Sequence, residues 1–309
     1  MKPAVIWTIQ IILIPVLSPL FAGIIRKIKA GFQNRAGAGV TQPYYDIWKL
    51  FHKDEVISTD ASWIFKFAPY IIFAITIVIG ASVPLFTSIF SYNLLSDLLV
   101  VVYLLAVATF FLALAGMDTG SPFGGFASSR EMTLAALAEG GLISSLLALA
   151  LAAHSTNLFS MVHSASSLSI FSFPPVLLAF FAFLIAMLSE TAHYPFDNPA
   201  THLELTMIHE AMILEYSGKR LALMEWAAAN KQLIFLSLGV NMFFPWGLTA
   251  SAEWTVVLTA VFLYLSKVLI LSLFVSVLES SMAKFRFFRL PDLLLMSFIL
   301  SVIAIILMI

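Results

Sequence analysis

The chain of 309 residues contains no cysteine, which excludes disulfides, thiolate-bound zinc and iron–sulfur clusters within it. Charge is scarce as well. Charged residues make up 11% of the chain, against about 25% in a soluble globular domain. So few charges cannot cover a water-facing surface of this size. Neither sign dominates, since the net charge is −1, so the sequence carries no electrostatic footprint for nucleic acid. No P-loop, dinucleotide-binding glycine pattern or nucleophile elbow occurs. The histidines, His52, His154, His163, His193, His202 and His209, all fall on connections between apolar runs, which argues against a membrane-buried bis-histidine haem.

What the chain has in abundance is hydrocarbon. Hydrophobic residues amount to 61% and the mean hydropathy is +1.00. Apolar runs recur at 4–25, 67–90, 97–116, 130–153, 174–192, 220–247, 255–280 and 291–309. At about 20 residues each they have spanning length, so the expectation is an all-α polytopic membrane protein of about eight transmembrane helices, forming a single domain over 1–309. The first run lacks a small-residue cleavage site and reads as a retained helix. Ser128-Ser129-Arg130-Glu131 reads as a capping box opening the fourth span, after an apolar loop around Phe123-Gly124-Gly125-Phe126. Pro15 and Pro84 are expected to kink the spans that contain them. Pro174-Pro175 and Pro291 stand at helix starts.

Lysine and arginine alternate in a way that fixes orientation. The connections 26–66, 117–130, 191–219 and 281–290 hold the basic residues, among them Arg26, Lys53, Arg130 and Lys284, whereas 91–96, 154–173 and 248–254 hold none. The positive-inside rule then places those four connections in the cytoplasm and both termini outside. Tyr45–Phe51 is expected to form an amphipathic interfacial helix. In 191–219, Asp197-Asn198 followed by Pro199 reads as a helix start and Gly218 as a stop. Leu203, Met207, Ala211 and Leu214 would line one face of that helix, with His202, Thr206, His209 and Glu210 on the other. Glu204, Glu210 and Glu215 make it acidic. It reads as a docking surface for a soluble partner or as a plain solvated helix. A metal pair of His202 and His209 is a weak alternative.

Ionisable residues also fall inside the apolar runs: Glu139, Glu225, Lys231, Lys267 and Glu279, with Glu190 ending the fifth. A charge at the bilayer centre costs at least about 2.5 kcal/mol, so such residues face the bundle interior or a wet cavity. A proton path is the functional reading; structural Glu–Lys pairs or snorkelling side chains are the alternative.

Several blocks together resemble a known family. Glu190-Thr-Ala-His-Tyr-Pro-Phe-Asp197-Asn-Pro-Ala-Thr-His-Leu-Glu204-Leu-Thr-Met-Ile-His-Glu210, followed by Leu214-Glu-Tyr-Ser-Gly218, is similar to the signature of the complex I subunit 1 family. The wording from Asp197 to Met207 is nearest its membrane-bound [NiFe]-hydrogenase branch, of formate hydrogenlyase and hydrogenase-4 type. Gln42-Pro-Tyr-Tyr-Asp46, Gly116-Met-Asp118, Ser129-Arg130-Glu131 and Glu279 through Asp292 agree with it. The resemblance implies eight spans and a subunit that anchors and couples a hydrogenase-like oxidoreductase. The partners it implies are soluble large and small subunits carrying a [NiFe] site and iron–sulfur clusters, and antiporter-like membrane subunits. The implied location is the cell inner membrane. No cofactor is expected in this chain, and quinone binding is left open. The alternatives are the quinone-site subunit of a respiratory NADH dehydrogenase and a membrane-arm subunit of a non-redox ion-translocating complex. A free-standing transporter would need paired broken helices, which the sequence lacks.

By that resemblance Glu139, Glu190, Glu225 and Lys231 match family residues of a proton path, and Lys267 and Glu279 join them as candidates through their place inside the spans. Arg35, Asp46, Asp118, Arg130, Glu131, His193, Asp197, Glu204, Glu210 and Glu215 are candidates for partner docking and the cytoplasmic entrance. Two positions depart from the family: His193 stands where arginine is usual, and Ala38 where proline is usual. An imidazole in place of a permanent guanidinium is expected to weaken pairing with Glu190 or a partner residue.

Orientation is directly testable. Reporter tags inserted near Lys53 and near Lys284 should report cytoplasm, and one near Ser164 the outside. A cytoplasmic signal at Ser164 would overturn the span assignment.

Overall fold

The computed structural model describes residues 2–89, 94–165, 174–197, 207–283 and 285–308, with side chains from Val5 onward. Among these there is no β-strand, only the isolated bridges Thr87 with Thr249 and Asp97 with Asn157. Eight helices form the bundle: α1 (Lys2–Phe32), α3 (Trp63–Ser82), α4 (Leu98–Asp118), α5 (Pro122–Ala153), α7 (Pro174–Glu190), α9 (Gly218–Phe243), α10 (Trp254–Ser281) and α11 (Leu290–Met308). Three shorter helices, α2 (Gln42–Phe51), α6 (Leu158–Ala165) and α8 (His209–Ile213), sit in the connections. Six of the eight are long and apolar enough to cross a membrane on those grounds alone. Of the other two, α7 is apolar but has 17 residues, and α9 carries Lys219, Arg220, Glu225 and Lys231. The all-α polytopic architecture is therefore as expected.

Several local expectations are corrected. The first helix runs on to Phe32, so Arg26, Lys27 and Lys29 ride on its last turns rather than on a loop. The connection between α4 and α5 shrinks to Thr119–Ser121, and Phe123 through Phe126 are helical. Ser128 is no cap. Its hydroxyl donates within the bundle to the Gly124 carbonyl (2.8 Å) and the Ala113 carbonyl (2.9 Å). This tight entry is possible because Gly124 lacks a side chain: a Cβ there would stand 2.1 Å from the Gly116 carbonyl oxygen. Pro84 lies beyond the end of α3 and terminates it instead of kinking it. Gly218 opens α9 at φ +54° where a helix stop was expected.

The 191–219 segment differs most from expectation. Residues 198–206, including His202 and Glu204, lie outside the described residues, so the expected helix start at Asn198 does too. Beyond them there is only the single turn α8. It is packed into the bundle: Met207, Ala211, Met212, Ile213 and Tyr216 are buried with Phe65 and Ala115 in a second core beside the main one. The Tyr216 ring stacks on Phe65 at 4.0 Å, and its hydroxyl donates to the Phe65 carbonyl (2.9 Å). The periodicity that suggested a surface helix is that of a chain segment buried on most sides. Of residues 207–216 only Leu214 and Glu215 are exposed.

Interior proline in α1 is compensated from α9. Pro19 has no N–H, which frees the Pro15 carbonyl four residues back, and Trp226 Nε1 donates to that oxygen at 2.8 Å. Ser18 donates to Asn230 Oδ1 (2.6 Å), and Asn230 donates onward to Thr76 (3.1 Å), tying α1, α9 and α3 inside the bilayer zone. On the far side α5 and α11 approach closely at Gly141, where a Cβ would stand 2.5 Å from Ser297 Oγ. Small residues at helix contacts are what lipid-embedded packing selects.

The two ends of the bundle differ in character. At the end where α3 stops and α4 starts the backbone closes on itself: Ser88 N–H donates to the Thr249 carbonyl (2.9 Å), and Thr249 N–H to the Phe86 carbonyl (3.1 Å). Asp97 caps α4 through Leu99 N–H (3.0 Å) and accepts from Thr156 (2.5 Å). Charge is concentrated at the other end.

Candidate functional site

Two cavities share Glu190 in their walls. The first, of about 160 Å³, lies between α1, α7, α8 and α9, at the end of the bundle where charge is concentrated. Its walls carry Arg26 and Lys29 from α1, Glu190, His193 and Asp197 from the end of α7 and the segment after it, His209 and Glu210 from α8, and Glu225, Lys231 and Gln232 from α9. The second, of about 100 Å³, lies between α4 and α5 and is lined by Thr109, Glu139 and Glu190 among apolar side chains. Glu190 borders both. Its Oε2 is 2.8 Å from Lys231 Nζ, and Lys231 also donates to Thr109 Oγ1 (3.3 Å). The linings thus place Glu210 and Glu225 with Lys231 and Glu190 on the first cavity, and Thr109 and Glu139 with Glu190 on the second.

Glu139 stands near the middle of α5. Because α5 begins at Pro122, Glu139 lies about 25 Å along the helix from that end, at 1.5 Å per residue. Glu190 acts on it electrostatically across the second cavity. Glu131, two turns earlier on the same helix, is buried within electrostatic reach of Lys231, Glu190 and Asp197.

A second constellation closes the cytoplasmic cavity on the α10 side. The Glu279 carboxylate is fully buried. His193 Nδ1 contacts its Oε1, and Lys29 Nζ lies 2.8 Å from its Oε2. Gln232 Nε2 lies 2.8 Å from His193 Nε2. An amide donating to Nε2 requires the neutral imidazole to carry its proton on Nδ1, pointing at Glu279. The expected partnership of His193 with Glu190 is thereby corrected: both line one cavity, but the imidazole bonds Glu279. Lys29, about one helical turn beyond the expected end of the first span, supplies the permanent cation.

Outside the spans, burial sets two protonation states. Desolvation pushes Glu210 up to about 7, the neighbouring carboxylates Glu225 and Asp197 add to this, and Arg26 opposes it. Desolvation lowers His209 to about 4, helped by Lys231 and opposed by Asp197, so this imidazole is neutral at pH 7.

The remaining candidates are placed as follows. Asp197 is buried and its Oδ2 accepts from Ile208 N–H (3.1 Å) and His209 N–H (3.0 Å), capping α8. Asp118 accepts from Ser62 N–H (2.7 Å) and Phe65 N–H (3.2 Å), joining the end of α4 to the start of α3. Arg130 lies over the Phe126 and Phe287 rings at 4.0 and 5.5 Å. Asp46 accepts from Gln42 within α2 (2.8 Å) and acts electrostatically on Glu225. Arg35 and Glu215 are exposed. Lys267 is apart from the cavities: it is buried, and it donates to Asn241 Oδ1 (2.8 Å) and the Phe244 carbonyl (3.0 Å) near the outer end of α9. There a cation complements a helix C-terminus.

Sequence reasoning missed Arg26, Lys29, Thr109, His209 as a wall residue, and Gln232. Arg26 and Lys29 were visible only as topology signals, because α1 was expected to end before them. Gln232, a neutral amide beside Lys231 within a span, was the one available clue on α9.

The comparisons with known proteins agree with this architecture. A family model described as NADH dehydrogenase matches residues 4–309. Hydrogenase-4 component C of Escherichia coli (strain K12) is 37% identical over 295 residues, covering 96% of this chain and 92% of that protein. Formate hydrogenlyase subunit 4 of the same organism is 34% identical over 278 residues, 90% of each. An NADH-quinone oxidoreductase subunit of Solibacter usitatus is 30% identical over 244 residues, 74% of this chain and 61% of that protein. Among solved structures, a chain of the membrane-bound sulfane sulfur reductase, an archaeal respiratory membrane complex, shares the fold, with a TM-score of 0.84 over 98% of both chains at 22% identity. With a family model matched over nearly its whole length and two relatives above 30% identity along most of theirs, the chain belongs to the NADH dehydrogenase family, that of complex I subunit 1.

Proposed function

We propose that this chain is the membrane anchor and proton-coupling subunit of a hydrogenase-like oxidoreductase complex, of formate hydrogenlyase type, in the inner (cytoplasmic) membrane. The observation that carries the reading is the Lys231–Glu190 pair, 2.8 Å apart, standing between a charged cytoplasmic cavity and the cavity of Glu139. Carboxylates in series across a low-dielectric span, joined by a lysine and a threonine hydroxyl, can take up and pass protons while the outer end of the bundle stays closed. The names of the two E. coli relatives support the hydrogenase setting. In this proposal soluble large and small subunits hold the [NiFe] site and the iron–sulfur clusters and dock on the cytoplasmic face. Antiporter-like membrane subunits receive the transmitted energy. This chain holds no redox centre of its own, in keeping with the absence of cysteine.

A second reading, the quinone-site subunit of a respiratory NADH dehydrogenase, draws on the 30% identical Solibacter usitatus relative. Purification from native membrane separates the two. Nickel in the co-purifying subunits supports the first reading, and bound quinone without nickel the second.

Glu139→Gln keeps the shape of the side chain and removes only its titration. The intact complex should assemble normally, continue electron transfer, and lose on the order of tenfold or more of the proton movement coupled to it, the scale of a lost acid–base group. Full coupling in this variant, or disappearance of the subunit from the membrane, would contradict a relay role.

Glu210 generates a pH prediction. Its folded value of about 7 lies above the ordinary 4.5, so folding favours the protonated form. Its contribution to stability is greatest below 4.5 and falls as the pH rises to about 7. Thermal unfolding of the purified complex across that window should therefore show a decline that Glu210→Gln removes. Equal slopes in the two proteins would mean that the carboxyl is not buried as described.

A further inference from the structure

A third cavity, of about 280 Å³, lies away from the charged ones, between α7, α9 and α10. Phe180, Phe244, Trp246, Ile270 and Phe274 are among its walls, and Lys267 is its only ionisable lining residue among the described residues. Phe180 stands six residues from Pro174, the outer start of α7, about 9 Å below it at 1.5 Å per residue. The cavity is thus in the outer half of the bilayer. Its mouth is marked by side chains that face away from the bundle: Ile270 is 62% exposed and Trp246 53%. Lys267 itself is 5% exposed. Its ammonium is turned to Asn241 Oδ1 and the Phe244 carbonyl, with the Trp246 ring centroid 5.6 Å away.

The chemistry of these walls selects the guest. Water would find almost no partners here, and apolar cavities of comparable size stay dry and take apolar guests. A ligand with a polar head inside would leave its own groups unpaired, at about 1–3 kcal/mol each. A partner helix, about 10–12 Å across with its side chains, is too wide to enter. An alkyl chain fills such a space without loss, and the surrounding solvent of a spanning protein is made of alkyl chains. We propose that this cavity holds an acyl chain of one outer-leaflet phospholipid as a fixed part of the protein. The chain packs under Trp246 and along the Lys267 methylenes, and it keeps the ammonium and the end of α9 out of contact with water.

The test is made on the intact complex, purified in mild detergent, by native mass spectrometry with analysis of the extracted lipid. Ile270→Trp is designed to block the mouth and Val240→Phe to fill the interior. Leu258→Trp, on the exposed face of α10 outside the cavity walls, is the control. The wild type and Leu258→Trp should retain one more phospholipid than either Ile270→Trp or Val240→Phe. Equal phospholipid counts in all four proteins would overturn the proposal. So would a lost molecule that proves to be an isoprenoid quinone.

Discussion

An ionised side chain in hydrocarbon must find its partner within the protein, and the whole cytoplasmic half of this bundle is arranged around that requirement. Glu190 has Lys231, and Glu279 has Lys29 and His193, so each of these acids draws a cation from a different helix. The pairings join α7 to α9 and α1 to α10, at the levels where helix packing alone leaves cavities. Removing one partner of a buried pair is destabilising by about 3–5 kcal/mol, whereas the pair itself contributes little net stability. Such groups therefore hold the geometry without being its main source of stability, which lies in the apolar core shared by the long helices.

The same constraint explains the asymmetry of the molecule. At the outer end, polar backbone is matched to polar backbone and to neutral side chains, as at Thr249 with Phe86 and Ser88. Lys267, the buried cation at that end among the described residues, answers the carbonyls at the end of α9 and needs no carboxylate. At the other end, acids and bases share cavities of about 160 and 100 Å³. Carboxylates therefore line the cavities as far as Glu139, and neutral hydrogen bonds take over beyond. That arrangement suits a subunit that passes energy sideways to membrane neighbours more than one that opens across the bilayer by itself.

Much of this was legible in the sequence, for identifiable reasons. Long apolar runs and the alternation of lysine and arginine are strong signals because bilayer thickness and charge placement act on every residue of a span. Helix ends were less legible. α1 and α5 overran their apolar runs, since charged or glycine-rich turns continue a helix wherever neighbouring helices support them. The ionisable residues inside the apolar runs were legible directly: Glu190, Glu225 and Lys231 line one cavity, and Glu139 lines a second that Glu190 also borders. Partners across the fold were not legible. Nothing in the spacing of His193 points to Glu279, 86 residues away, nor in that of Lys231 to Thr109. The burial of Met207 to Tyr216 was misjudged because helical periodicity describes one apolar face, and this segment is covered on more than one.

Lys231 and Glu190 are central: the proposed coupling requires them to act as one unit between the two cavities. The direct measurement is coupled proton movement in vesicles holding the intact complex, compared among Lys231→Gln, Glu190→Gln and the double variant. If the pair is the junction, each single change abolishes most of the coupling and the double variant loses no more than either alone, the signature of residues that function together. Losses that simply add, or a single variant with undiminished coupling, would show that protons pass by another route.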